Sequence, residues 1–484
     1  PRRCLSRGRG STPLPELRPS ADCPSPTVGT LKADGAAAGY ILYSPRSTTA
    51  AYLLDAPSGA FVHAWETPHA TGHAAYLGRR GELFRMEDDD ELTSRITLGG
   101  IAGRISVYSW EGDPLWSYAL ANKTHRLHHQ FDPHDLDLAA GTGTLFALVA
   151  HRLECEQARA LGRVVCENDD GMYVEAILEI DSKGQVVWSW YMSNHLCSTD
   201  CASTLNKVDI NSGVGASRAD WVHANCLVYE PTRDLLLLGG AFTGEVYVIN
   251  HSAPSERPLM ERTSSLLFRF GADRFKMQHD VRVVACAEAA PTDALCLSLF
   301  NNGEFPGPGA NDCAFASDGG QLSGSHCGSE VLLVTLPRES LAGGPGAEGF
   351  VQVQSLFNKS TVASLLGGNG TDFLRLCDGS GCVRQSTFFS IILAGATLVG
   401  VPFASGSYLN VVVGTHGTIF EAYFDMAKRS YSDIRFVHQN PGEVISHQAP
   451  ALLDPCALPA VVNLGGQDNG WSTSVFHAQR DPPA

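Results

Sequence analysis

The chain has 484 residues, 44% of them hydrophobic and 18% charged, which is enough apolar matter for one large repeat-built domain or for two or three ordinary ones. A formal net charge of -16 repels polyphosphates and argues against nucleic acid as a partner. The 49 glycines and 26 prolines are dispersed along the chain, a punctuation that suits many short strands and turns rather than a few long helices.

Residues 1–37 read as an N-terminal arm. Arg2, Arg3, Arg7 and Arg9 lie there among Gly, Ser and Pro, as in a flexible end or a processing-site remnant. Residues 38–484 read as the folded body. Within it, Asp55-Ala-Pro-Ser-Gly-Ala-Phe-Val-His-Ala-Trp65 predicts a hairpin: a strand ends on an acidic residue, Gly supplies the turn, and the returning strand closes on Trp. The same grammar returns in Glu111-Gly-Asp-Pro-Leu-Trp116 and in Ile180-Asp-Ser-Lys-Gly-Gln-Val-Val-Trp188-Ser-Trp190. Apolar strands recur as well, at Gly141 to Val149 and Asp234 to Gly239. Hairpins repeating at this interval predict the blades of a β-propeller, six between Gly39 and His477. A pair of β-sandwiches is the competing architecture, and it leaves the returning Gly–Trp hairpin unexplained.

Between the hairpins, Met86-Glu-Asp-Asp-Asp-Glu91 predicts a solvated loop, with a calcium site as the alternative. His125, His128, His129 and His134 match no standard zinc spacing, so no metal is expected there. Glu304 to Gly328 and Leu341 to Gly381 read as inserted loops. From Arg384 to Glu421 no acidic residue, Lys or Arg interrupts the chain, but Gly395, Gly400 and Pro402 break its apolar part. Buried strands are expected there rather than a membrane span, which needs about 20 apolar residues.

Fourteen cysteines include close pairs at Cys155/Cys166, Cys197/Cys201, Cys313/Cys327 and Cys377/Cys382, with no CxxC knuckle for zinc. Cys4, Cys23 and Cys456 would allow the arm to be clamped to the last blade. Sequons begin at Asn122, Asn250, Asn358 and Asn369. Together these predict an oxidising, secreted or extracellular setting, with the leader lying outside this chain.

Three histidines stand beside a small or acidic residue at the head of an apolar strand: His134 in Pro-His-Asp, His223 in Trp-Val-His-Ala-Asn, and His279 in Gln-His-Asp. The first strand of each propeller blade lines the axis, so equivalent positions on successive blades would face one shared channel. Imidazoles there can bind an oxyanion, move protons or attack as nucleophiles. The plainer reading is that each is a hydrogen-bonded structural residue.

Several phrases are similar to those of bacterial-type arylsulfotransferases. Gly39-Tyr-Ile-Leu-Tyr-Ser-Pro45, Ser47-Thr-Thr-Ala-Ala-Tyr-Leu-Leu-Asp55 and Val62-His-Ala-Trp65 resemble that family's opening blade. Asp220-Trp-Val-His-Ala-Asn225, Gln278-His-Asp280 and Phe300-Asn-Asn-Gly303 resemble its later motifs. The resemblance runs from about Gly39 to Gly303 and thins beyond. It implies a six-bladed propeller that moves a sulfuryl group from an aryl sulfate to a phenolic acceptor through a sulfated histidine, with no nucleotide donor and no cofactor. Carried over motif by motif, it makes His279 the nucleophile, gives His134 and His223 the sulfuryl oxygens, and makes Asn225 a neutral donor.

One position departs from the family. Its members carry an arginine at the end of the strand that follows Trp-x-His-x-Asn, where this chain has Ala241. Losing such a donor costs on the order of 100-fold in turnover, and Arg46 and Arg282 are the sequence's own candidates to replace it. The expected fold is therefore all-β, a six-bladed β-propeller with disulfide-bearing inserted loops. Its expected activity is sulfuryl transfer between small aryl sulfates and phenols. The alternative is a catalytically weakened propeller serving as a binding or structural component of an extracellular assembly. A homo-oligomer is left open.

Overall fold

The computed structural model describes residues 29–32, 39–44, 48–55, 60–89, 92, 94–166, 171–199, 201, 204–260, 264–272, 274–303, 329–341, 347–358, 374–378, 381–385, 394–413, 418–439, 459–464 and 472–478. Almost all regular structure among them is strand, with short α-helices at Cys155–Ala160 and Arg338–Leu341.

Six antiparallel sheets follow one another as blades I to VI. Blade I joins the two ends of the chain. Ser472–Ala478 pairs with Tyr40–Ser44, so Pro459–Leu464, Ser472–Ala478, Tyr40–Ser44, Ala50–Asp55 and Phe61–Glu66 form one sheet. This pairing closes the ring within blade I, whose sheet both ends of the chain share. Blades II, III, IV and V each have four strands, and their innermost strands are Ala70–Leu77, His125–Asp132, Ala224–Glu230 and His279–Val284. Blade VI begins at Ala394–Val399 and takes Gly29–Lys32 onto its outer edge, beside Ser430–Gln439. Residues 29–32 of the expected arm thus add a strand to this sheet.

The Gly–Trp phrases form the outer hairpins of the first three blades. Ala50–Asp55 turns into Phe61–Glu66, Arg104–Tyr108 into Pro114–Ala119, and Met172–Asp181 into Val186–Tyr191. Their tryptophans hold neighbouring blades together. Trp65 in blade I donates its indole N–H to Ser109 O of blade II at 3.0 Å. Trp188 in blade III donates to Ala253 O of blade IV at 2.9 Å. A buried indole needs such an acceptor, and a carbonyl in the next blade supplies it.

Each blade is covered on both faces, which explains the continuous apolar strands. Leu235–Gly240 is buried along its whole length, with Leu236 and Leu238 facing the blade III layer and Leu235 and Leu237 the blade V layer. Burying each such side chain contributes about 1.5–3 kcal/mol. The core is thus a series of apolar layers between blades rather than a single centre. In the apolar stretch after Arg384, Ala394–Val399 forms the inner strand of blade VI.

The acidic run at Met86 differs from its expected place in a solvated loop. Glu87 and Asp89 are buried: Glu87 accepts from the Ser106 and Tyr108 hydroxyls at 2.7 and 2.9 Å, and Asp89 pairs with Arg104 at 2.6 Å. The run ends a central strand, Leu83–Asp88, and finds its cation and hydroxyls on the next strand of the blade.

Disulfides join Cys155 to Cys166 and Cys197 to Cys201, as the spacing suggested, and Cys286 to Cys296, which the spacing did not single out. Cys226 is a buried free thiol. Cys377 and Cys382 are register partners in a strand pair. Cys4, Cys23, Cys313, Cys327 and Cys456 lie outside the described residues. No helix among the described residues is long and apolar enough to cross a membrane.

Candidate active site: histidines of the inner strands

Four successive inner strands bring histidine to the axis at irregular points of the backbone. The pairing register shifts between Thr71 and Ala75, between Ala147 and Val149, between Ala224 and Cys226, and between His279 and Arg282. At or beside these bulges His73, His129, His223 and Asp280 take φ of 111°, 52°, 50° and 54°. Positive φ is costly for a side-chain-bearing residue and is retained where the fold must aim a group.

His129 is the centre of the cluster. Its ring lies 4.8 Å edge-on from His223, 5.9 Å from His73 and 4.9 Å from His128, centroid to centroid. Gly100, at φ 65°, closes over it, because a Cβ there would fall on the His129 ring itself. A hydrogen-bonded chain orients the cluster. Glu175 Oε2 faces His128 Nε2 at 3.0 Å, and His128 Nδ1 faces His129 Nδ1 at 2.6 Å. With the carboxylate accepting from His128, the remaining bond runs from His129 Nδ1–H to His128 Nδ1, which leaves the lone pair of a neutral His129 on Nε2. The other oxygen of Glu175 accepts the Ala224 N–H at 3.0 Å, so one buried carboxylate fixes both His128 and the backbone beside His223.

His223 has its own orienting partner, with Asp220 Oδ2 2.5 Å from Nδ1. A carboxylate in that position holds the tautomer and stabilises an imidazolium when one forms. Phe242 stacks flat on the same ring, at 4.4 Å and 12°. His279 heads the neighbouring inner strand and is buried. Its Nδ1 donates to Met277 O at 2.6 Å, which places the lone pair of the neutral ring on Nε2.

The other expected site residues lie differently. Asn225 is wholly buried, with Nδ2 donating to Gln278 O at 2.9 Å and Oδ1 accepting from the Cys226 thiol at 2.8 Å. It ties the His223 strand to the residue before His279, and its polar ends serve the protein. His134 does not join the cluster. It follows the inner strand His125–Asp132 rather than heading it, and it packs on Tyr229 and Phe146 with centroids at 4.5 and 5.7 Å. Pro133 and an Asp132 side chain that accepts the His134 N–H at 2.9 Å turn the chain away at that point. His73, His128 and His129 were missed as site residues. The Gly72-His73 pair and the His128-His129 doublet were their only signals in the sequence.

Ala241 sits where the apolar strand ends, buried, with its N–H donating to His223 O at 3.2 Å. Of the two arginines suggested to replace the missing one, Arg46 lies outside the described residues. Arg282 is buried and bound through Nε and Nη2 to Asp280 Oδ1, each at 2.6 Å. Burial pushes the Asp280 carboxyl up to about 6, against the pull of Arg282. Among the described residues no three His, Cys, Asp or Glu side chains converge as a metal would require.

Fold and site together define a six-bladed propeller whose successive inner strands carry oriented histidines. Residues 83–318 match the family model for Arylsulfotransferase (ASST), and the chain carries an arylsulfotransferase-family domain over that span. No curated protein sequence matches the chain significantly. Among solved structures, the chain is distantly similar to the dihydro-heme d1 dehydrogenase NirN, with 8% identity and a TM-score of 0.34 over 91% of this chain and 75% of that one. It is similar at 10% identity and a TM-score of 0.38 to the β-propeller domain of Myceliophteria thermophila Cps50 (Swd1), covering 94% and 100% of the two chains. For BamB from Moraxella catarrhalis the figures are 13% identity, a TM-score of 0.29, and 91% and 82% coverage.

Proposed function

We propose that this protein transfers a sulfuryl group from an aryl sulfate to a phenol, in two displacements through His279. The observation that carries the reading is the commitment of His279 Nδ1 to the Met277 carbonyl, which places the lone pair of the neutral ring on Nε2, at the head of the inner strand next to the one that follows His223. In the first half, Nε2 bonds to sulfur and the sulfur–oxygen bond to the aryl group breaks. The phenolate leaves with that electron pair and takes a proton from cationic His223. In the second half, neutral His223 takes the proton of the incoming phenol, whose oxygen bonds to sulfur as the nitrogen–sulfur bond breaks and His279 regains its lone pair. His129 faces the sulfuryl oxygens in the role first assigned to His134, and Asn225 positions the His279 strand rather than meeting substrate.

The disulfides, and a sequon at Asn122 whose Asn and Thr are both exposed, support a secreted or extracellular protein. One observation favours the second reading, a binding or structural propeller: the methyl of Ala241 beside His223 offers no donor to an oxyanion. Assaying para-nitrophenyl sulfate with a phenolic acceptor separates the two. Acceptor-stimulated nitrophenol release, abolished by His279→Ala, is the expected result. No release from any aryl sulfate would leave the binding reading in possession.

A further inference from the structure

Resting on the sulfuryl-transfer reading, we propose that Arg218 is the substrate-binding guanidinium of this site, taking the sulfuryl oxygens of the donor at the mouth of the histidine cluster. Negative charge on the sulfuryl oxygens and the departing phenolate calls for a fixed cation. The cluster, however, holds the carboxylates of Glu175 and Asp220. The buried arginines nearby each face a partner of their own. Arg282 is bound to Asp280, and Arg163 gives its guanidinium to the carbonyls of Ile210, Gly215 and Arg218.

Arg218 differs from both. It is exposed and forms no ion pair among the described residues. Its Cζ lies 5.1 Å from the Phe242 ring centroid, and that ring stacks at 4.4 Å on His223. The guanidinium therefore rests one aromatic ring away from the His223 imidazole. Its backbone is held firmly. Arg163 Nη2 donates to Arg218 O at 3.1 Å, and Val214 N–H donates to Phe242 O at 2.9 Å, which fixes the 211–219 segment against Phe242. Gly215 lets the segment pass close to Trp221, since a Cβ there would lie 2.0 Å from the Trp221 carbonyl oxygen. A guanidinium on an arene face keeps its planar fork of donors, which matches two oxygens of a sulfuryl group.

The test compares wild type, Arg218→Ala and Arg218→Lys in turnover of para-nitrophenyl sulfate and in calorimetric binding of para-nitrophenyl sulfate and para-nitrophenol. Arg218→Ala should lose on the order of 100-fold in kcat/KM, weaken the sulfate ester's binding while leaving the phenol's unchanged, and regain turnover when guanidinium ion is added. Arg218→Lys should fall between, because an ammonium cannot engage two oxygens in one plane. Wild type that binds the ester through Arg218 without turning it over would remove the transfer reading and keep this one. Undiminished turnover or ester binding in Arg218→Ala, or no ester binding by wild type, overturns the assignment.

Discussion

Gly100→Ala reaches the site through His129 alone, without changing any side chain assigned to chemistry. Gly100 is buried at φ 65°, and its carbonyl accepts the His129 N–H at 2.8 Å. A methyl at that position would overlap the Cδ2, Nε2 and Cγ atoms of His129. Restoring van der Waals contact would require the ring to retreat by roughly 1 Å or more. The left-handed backbone adds a strain of about 1–2 kcal/mol to the folded state. A displacement of about 1 Å in a group that positions the reacting atoms can cost on the order of 100-fold in rate. The variant should therefore stay folded, with a slightly lower Tm, while kcat for para-nitrophenyl sulfate falls by about two orders of magnitude. Steady-state kinetics beside circular dichroism melting measures both. Wild-type kcat in a folded Gly100→Ala protein would refute the placement of His129 at the reacting centre.

Glu175→Gln keeps the shape but removes the carboxylate that fixes His128 and the Ala224 N–H. It should lower kcat by roughly 10-fold or more and alter the pH–rate profile, whereas a purely structural role would move Tm alone. His151 is held at about 3, chiefly by burial and then by the neighbouring His125. Its folded ring stays neutral while the unfolded chain takes up a proton below the ordinary value of 6.5. Stability is therefore lost as pH falls from 6.5 toward 3, at up to about 1.4 kcal/mol per unit. Urea unfolding should show wild type losing about 2 kcal/mol more than His151→Phe between pH 6.5 and 4.5, and parallel curves would contradict this. Alkylation of the unreduced native protein should leave Cys155, Cys166, Cys286 and Cys296 unmodified, read by peptide mass spectrometry.

The blades were legible because their outer hairpins repeat a chemical requirement. Gly makes the turn, and Trp65 or Trp188 needs an acceptor in the next blade. His223 and His279 were legible as strand heads, since each directly precedes or begins an apolar strand. His134 was misplaced for a definite reason. Its Pro-His-Asp phrase looks like a strand head, yet the chain has already completed the strand at Asp132. His73 and His129 owe their aim to bulges and positive φ, which depend on pairing with the next strand and leave no local sequence mark. Cys286 and Cys296 were overlooked because their partnership is set by the hairpin of blade V rather than by a polar loop between them. The burial of Glu87 likewise depends on Ser106 and Tyr108, which meet it only across the sheet.

The central claim is that His279 Nε2 carries the sulfuryl group between donor and acceptor. Brief incubation with para-nitrophenyl sulfate without acceptor, followed by alkaline quenching and peptide mass spectrometry, tests it directly. The account predicts a sulfuryl increment on the peptide containing His279, localised to that ring, formed in step with a stoichiometric burst of nitrophenol and discharged on adding a phenol. A burst with the increment on His129 or His223, or turnover with no sulfated histidine at all, would contradict it.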